Sequence, residues 1–265
     1  MLHDSGDSIL MIHGLCCAGE MWAAPATKFR ARGWRVETPT IHSQLRLRSA
    51  PPRDLGRLTL GDYVDEMEAA ARRIHSEGGR WPAVFGHSLG GLIAQKLAER
   101  GVARAVVLMA PFGPEGTARG TSMSTLLTFA NLFVTRKAAS RGFKIWRTGF
   151  QWGMWHRLPR SRHAALHAST RYCSGRVLRD AARPELDPQR VARVDEKQIA
   201  VPVLTIGASR DRTIPVTVHR AVGEKYRTTG SEYREYEEHA HWILDEPGSD
   251  RVVDDIARWL DAKVK

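Results

Sequence analysis

The stretch Phe85-Gly86-His87-Ser88-Leu89-Gly90-Gly91 sets three glycines around a single serine. The apolar run Ala83-Val84-Phe85 precedes it, and the helix-like run Leu92-Ile93-Ala94-Gln95-Lys96-Leu97 follows. A serine at a sharp strand-to-helix turn is driven into unusual backbone angles, and its neighbours must be small for the turn to close. Such a turn lifts the hydroxyl into the open and aims the next N–H groups at the atom it attacks. The pattern G-x-S-x-G is short enough to arise by chance, so its meaning rests on its surroundings.

Those surroundings alternate between strand and helix signals. Ser8–Ile12 is a short apolar run ending at His13-Gly14, which reads as a buried strand. Residues 20–32 read as a helix stopped by Gly33, and 34–38 as a second strand closed by Pro39. Leu60, Tyr63, Val64, Met67, Ala70, Ala71 and Ile74 recur at i, i+3, i+4 and i+7, predicting an amphipathic helix over 60–77 before Gly78-Gly79. Residues 83–85, 105–110, 203–207 and 232–236 supply four more strands, with helices expected at 89–100, 215–227 and 249–262. Strands alternating with helices predict an α/β fold with a parallel sheet of about six strands, covered on both faces. The 92 residues between Ala110 and Val203 break the rhythm. A crossover needs only about a dozen residues, so most of this interval is an insertion. It is expected at 112–194, leaving 1–111 and 195–265 as the core.

A chain of 265 residues, 42% hydrophobic, suits one large core with an inserted cap. It has no apolar run of 18 residues, so no membrane span is expected. The start MLHDSGDSILMIHG places acids where a secretory leader is basic, which predicts a cytoplasmic protein. Three cysteines, Cys16, Cys17 and Cys173, form neither a disulfide framework nor metal-site spacing. The net charge of +11 is concentrated. Residues 136–193 hold 14 Arg or Lys against Asp180, Glu185 and Asp187, which is +11, and the rest of the chain balances at 26 of each sign.

Ser88 becomes a nucleophile only if a base takes its proton and a third group orients that base. On a doubly wound sheet these partners belong at the carboxyl ends of later strands. The fifth strand runs into Gly207-Ala208-Ser209-Arg210-Asp211-Arg212-Thr213-Ile214-Pro215, which offers one carboxylate, Asp211. The sixth runs into Glu237-Glu238-His239-Ala240-His241-Trp242, which offers two histidines. Serine, aspartate and histidine thus each follow a strand end, in that order. The coincidence weighs heavily against a chance G-x-S-x-G.

With HGL at 13–15, GHSLGG at 86–91, GASRDRTIP at 207–215 and HAHWILDEP at 239–247, the chain resembles the α/β-hydrolase fold family. Within it, the resemblance is strongest to the monoacylglycerol lipase and small esterase branch. It covers nearly the whole chain outside the insertion, which sits where the family carries a helical cap. Two departures stand out. HG is reached at residue 13, so the usual opening hairpin is expected to be missing or vestigial. Ala240 stands where a glycine often precedes the catalytic histidine.

The resemblance implies Ser88 as nucleophile, His241 as base in preference to His239, and Asp211 as its orienting acid. Trp242 and an apolar run follow His241 in the family manner. The resemblance implies an oxyanion hole from the backbone N–H groups of Leu15 and Leu89, with His13 shaping the first loop. Cys16, His87, Trp152 and Trp155 are candidate pocket residues beside His13. No metal or cofactor is required. The expected reaction is cleavage of a carboxylic ester of an apolar acyl or aromatic group through an acyl-enzyme.

Thioesterase or acyltransferase chemistry on carrier-bound acyl groups uses the same residues, as do cofactor-independent lyases and cyclases. A binding protein built on a retired hydrolase has no need of all three. The apolar segment 122–134 reads as a lid, and the basic stretch 136–193 as a solvated face or a contact for an anionic lipid surface or acyl carrier. Nucleic-acid binding is not expected, because no recognition motif accompanies the charge.

Overall fold

The computed structural model describes residues 7–117, 122–134, 137–226 and 231–264. The chain opens with strand β1 (Ser8–Ile12), helix α1 (Ala23–Arg30) and the short strand β2 (Arg35–Glu37). Helix α2 (Leu60–Gly78) follows. Its start is a capping box: Thr59 Oγ1 accepts the Asp62 N–H at 3.1 Å, and Asp62 Oδ2 accepts the Thr59 N–H at 2.7 Å. Its end is Gly79, whose φ of 72° lets its N–H return to His75 O at 2.8 Å. Strand β3 (Ala83–His87), helix α3 (Leu89–Glu99) and strand β4 (Ala105–Met109) complete the first half.

The segment after β4 holds α4 (Met123–Thr128) and α5 (Ala130–Val134), then a two-residue strand β5 (Gly142–Phe143). A π turn at Phe150–Met154 leads to α6 (Arg160–Ser169), β6 (Cys173–Ser174) and α7 (Gly175–Ala182). Periodicity predicted no strand here, but β5 and β6 pair antiparallel, Phe143 against Cys173. Two residues are too few to carry a period of two. The core resumes with β7 (Val203–Ala208), α8 (Val216–Lys225), β8 (Glu232–Tyr236) and α9 (Ser249–Lys263).

Among the described residues the core strands form one six-stranded sheet in the order β2-β1-β3-β4-β7-β8, with every pairing parallel. The expectation that no hairpin precedes β1 falls on residues 1–7, of which 1–6 lie outside the described residues. The four central strands are buried throughout, while the edge strands β2 and β8 are only partly covered. Alternation assigns the two faces. Leu10, Val84 and Val106 pack with α2 and α3, while Ile9, Phe85 and Val107 pack with α1 and α9. Every core loop that carries a candidate residue leaves the carboxyl end of a strand.

Candidate active site

Ser88 stands between β3 and α3 with φ 55° and ψ −120°, in the left-handed half of the map that non-glycine residues avoid. Three backbone bonds hold it there. Its N–H donates to Met109 O at 3.1 Å, and its carbonyl accepts from Gly91 N–H and Phe112 N–H, both at 2.9 Å. The flanking glycines are demanded by close approach. A Cβ on Gly86 would lie 2.2 Å from Gly90 O, and one on Gly90 would lie 2.2 Å from Ile12 O. The small residues around the serine therefore let α3 cross directly over β1 and β3.

Asp211 and His241 come together from the ends of β7 and β8, both side chains fully buried. His241 Nδ1 donates to Asp211 Oδ2 at 2.7 Å. Asp211 Oδ1 accepts the N–H groups of Thr213 at 2.7 Å and Ile214 at 2.9 Å. Burial pushes the Asp211 carboxyl up, but His241, His219 and the Ile214 N–H pull it down further, so the net shift is downward. The Nε2 of His241 is buried and has no hydrogen-bond partner. His239 points elsewhere: its Nδ1 faces Glu246 Oε2 at 3.3 Å, and that same oxygen accepts the Ala240 N–H at 2.8 Å. Glu246 thus pins the loop that aims His241.

Leu15 and Leu89 line the same cavity as Ser88. Their N–H groups take no part in the turn bonds around them, which run from Cys17 N–H to Gly14 O and from Gly91 N–H to Ser88 O. Leu89 opens α3, where helical N–H groups have no partner within the helix. Arg46, fully buried, braces the Leu15 loop. Its Nη2 donates to Cys17 O at 2.7 Å, its Nη1 to His13 Nε2 at 2.9 Å, and its Nε to Tyr172 O at 3.2 Å. Burial and the neighbouring Arg46 hold His13 well below the usual imidazole range, so the neutral ring donates from Nδ1 to Gly14 O at 2.9 Å. Sequence reading passed over Arg46, because nothing local distinguishes it from the chain's many solvated arginines.

The cavity has a volume of about 250 Å³. The core contributes Ser88, Ile214, Pro215 and Val218 to its wall. The segment 112–194 contributes Phe112, Phe129, Leu132, Met154, Leu178 and Ala181. Glu115 is the carboxylate in this wall, and it is ion-paired with Arg190.

The candidate pocket residues His13, Cys16, His87, Trp152 and Trp155 stand outside this lining. His87 is scaffold: its Nε2 donates to His241 O at 2.7 Å, and burial beside His241 lowers its pKa to about 3. Cys16 shares the Phe143 carbonyl with Cys173, at 3.9 and 3.5 Å. Trp155 is fully buried, stacked on Phe150 at 4.5 Å and edge-on to Trp242 at 6.0 Å. Trp152 is 39% exposed, with the Arg212 guanidinium 4.4 Å from its ring centre. Among the described residues, no group of three His, Cys, Asp or Glu is placed to hold a metal ion. Nor is any helix among them long and apolar enough to cross a membrane.

The basic stretch is partly neutralised by the core. Arg157 pairs with Glu238 at 3.5 Å, Arg171 with Glu20 at 3.0 Å, and Arg162 with Asp245. Lys144 and Arg147 have no carboxylate partner among the described residues. They line a surface groove of about 520 Å³ with Arg48 and His167.

The sequence from residue 9 to residue 255 matches the family model described as the Alpha/beta hydrolase family. No curated protein matches it. Among solved structures, a monoacylglycerol lipase from Paleococcus ferrophilus superimposes with a TM-score of 0.70 at 17% identity, over 99% of this chain and 97% of that one. A pyrethroid hydrolase from Sphingobium faniae gives 0.70 at 18% identity, over 97% and 98%. Methylketone synthase I of tomato, in complex with 2-tridecanone, gives 0.70 at 14% identity, over 97% and 98%. At such identities the likeness is one of fold.

Proposed function

The chain belongs to the alpha/beta hydrolase family, and from that premise we propose that it is a serine hydrolase cleaving the carboxylic ester of an apolar acyl or aromatic substrate. The observation that carries the proposal is the 2.7 Å bond between His241 Nδ1 and Asp211 Oδ2. It leaves Nε2 of a buried imidazole without a hydrogen-bond partner, while Ser88 is held in a strained turn at the end of β3. In this reading Nε2 takes the Ser88 proton as Oγ attacks the ester carbonyl. Asp211 holds the tautomer and steadies the imidazolium. The N–H groups of Leu15 and Leu89 receive the oxyanion, worth about 3 kcal/mol per donor in comparable sites. The imidazolium then protonates the departing alcohol, leaving an acyl-enzyme on Ser88. Water activated by the same nitrogen hydrolyses it.

The apolar wall supports the substrate class. Phe112, Phe129, Leu132, Met154 and Leu178 surround the space beside Ser88, and Arg190 neutralises the carboxylate that reaches it. The test is a panel of oxygen esters and thioesters with increasing acyl length. Turnover should favour oxygen esters, with kcat/KM rising up to about 4-fold per methylene at ~0.8 kcal/mol each until the cavity fills. Preference for thioesters, or for short charged acyl groups, would contradict the assignment. The groove of Lys144, Arg147 and His167, bordered by Arg48 of the core, is the part of the basic cap we propose for contact with an anionic lipid surface or acyl carrier.

A further inference from the structure

Behind Asp211 lies a second histidine that the mechanism above does not use. His219 sits on α8, fully buried. Its Nδ1 accepts the Ala208 N–H at 3.4 Å, which leaves the ring proton on Nε2. That nitrogen lies 3.6 Å from Asp211 Oδ2, the oxygen bonded by His241, and has no hydrogen bond of its own. Oδ1 is taken by Thr213 and Ile214, and two imidazoles lie near Oδ2.

We infer that His219 is a positioning residue for the Asp211–His241 pair, presenting a neutral N–H to the carboxylate oxygen that orients the base. This inference rests on the reading of Asp211 and His241 as partners in catalysis, and it adds a residue to that machinery.

The electrostatics follow from the groups that face the two rings. His219 sees Asp211, His241 and, from β8, Glu235. Glu235 is itself bound by Arg220, Ser209 and Tyr233, so little of its charge is free. His241 sees Asp211, His219 and, from β3, the neutral ring of His87 at 4.8 Å. Burial holds the His219 pKa down to about 4, so its ring remains a neutral donor wherever His241 is working as a base. An N–H dipole 3.6 Å from Oδ2 stabilises the carboxylate's charge electrostatically and favours its present plane. Both effects act on His241: the first makes its imidazolium less favoured, and the second keeps Nδ1 in line. Without that donor, Asp211 would hold a proton on His241 more strongly.

The test is a titration of the histidine rings by nuclear magnetic resonance on full-length protein labelled at histidine nitrogen. In the unaltered protein, the His219 ring should show a proton on Nε2 and none on Nδ1 at neutral pH. His219→Leu should raise the His241 pKa by about half a unit or more, whereas His219→Gln, which keeps an N–H near that position, should restore it to within ~0.2 unit. A His219 proton on Nδ1 would overturn the inference even if His219→Leu does not fold. So would a His241 titration that is the same in the Leu variant, or raised equally in the Gln variant. These readouts do not need turnover. Failure of the ester assay would therefore sink the proposed function while leaving the His219 result to be judged on its own.

Discussion

On the sheet side of the cavity, backbone and carboxylate bonds fix every group that matters. Ser88 is held at both its N–H and its carbonyl, and Asp211 accepts donors on both oxygens. The facing segment 112–194 is attached differently. Arginines at its rim reach core acids, as in Arg157–Glu238 and Arg171–Glu20, and such partly exposed pairs contribute about 0–1 kcal/mol each. The exposed large hydrophobics follow the same division: Met123, Leu126, Leu127, Trp146, Trp152 and Leu186 all lie in this segment, with Leu47 the exception among the described residues. The contrast separates two duties. The sheet fixes Ser88, Asp211 and His241 in one geometry, and segment 112–194 bounds the space beside Ser88 through apolar packing and backbone bonds to the core, with salt-sensitive pairs at its rim.

The largest effects should come from the sheet side. His241→Ala should lower kcat by ~10³-fold or more, as loss of the base in such a triad does. His239→Ala should keep turnover within ~10-fold while lowering the unfolding temperature, because His239 faces Glu246 rather than Asp211. An inactive His239 variant beside an active His241 variant would reverse the assignment.

Acid should unsettle the same side. His87 and His219 are held neutral by burial, with pKa values lowered to about 3 and about 4. In the unfolded chain both would titrate near ~6.5, so the unfolded state binds more protons below that pH. Their contribution is therefore complete above ~6.5 and is lost as pH falls toward the folded-state values, by up to a few kcal/mol by pH ~4.5. Asp211, whose folded value is depressed, weakens the protein only at still lower pH, below its unfolded value of ~3.9. The unfolding temperature should drop steeply between pH ~6.5 and ~4.5 and less so in His87→Gln. A flat profile across that interval would contradict the neutral, buried state of these rings.

The smallest effects should come from segment 112–194. Charge reversal at Lys144 and Arg147 should lower kcat/KM several-fold for an ester on an anionic carrier and leave a small neutral ester unchanged. Added salt should mimic it, since the Debye length is only ~8 Å at ~0.15 M. Neutralising Arg157 or Arg162 should change stability by less than ~1 kcal/mol, because each spans a partly exposed pair. Equal salt responses for both esters would reduce the groove to a solvated face.

More of the sheet than of segment 112–194 was legible in the sequence. The four central strands fell where apolar runs met turn signals, the polar edge strands β2 and β8 where short β-prone stretches met them, and Ser88, Asp211 and His241 follow strand ends, where topology leaves few other positions. The choice between His239 and His241 came from the residues that follow each, while their side-chain directions depend on Glu246, seven residues beyond His239. In segment 112–194, the π turn at Phe150–Met154 breaks the 3.6-residue period, so Trp155 turns inward onto Phe150 and Met154 reaches the cavity instead. Spacing alone cannot report such a shift. Arg46 and His219 were missed for a related reason: each is defined by contacts across the fold, with Tyr172 and Asp211 as their distant partners.

The central claim is that Ser88 is an activated nucleophile, and intact-mass analysis after treatment with a fluorophosphonate tests it most directly. One adduct should form, peptide mapping should place it on Ser88, and Ser88→Ala should abolish both the adduct and ester turnover. An adduct that persists in Ser88→Ala, or a folded native protein that takes up none, would contradict the claim.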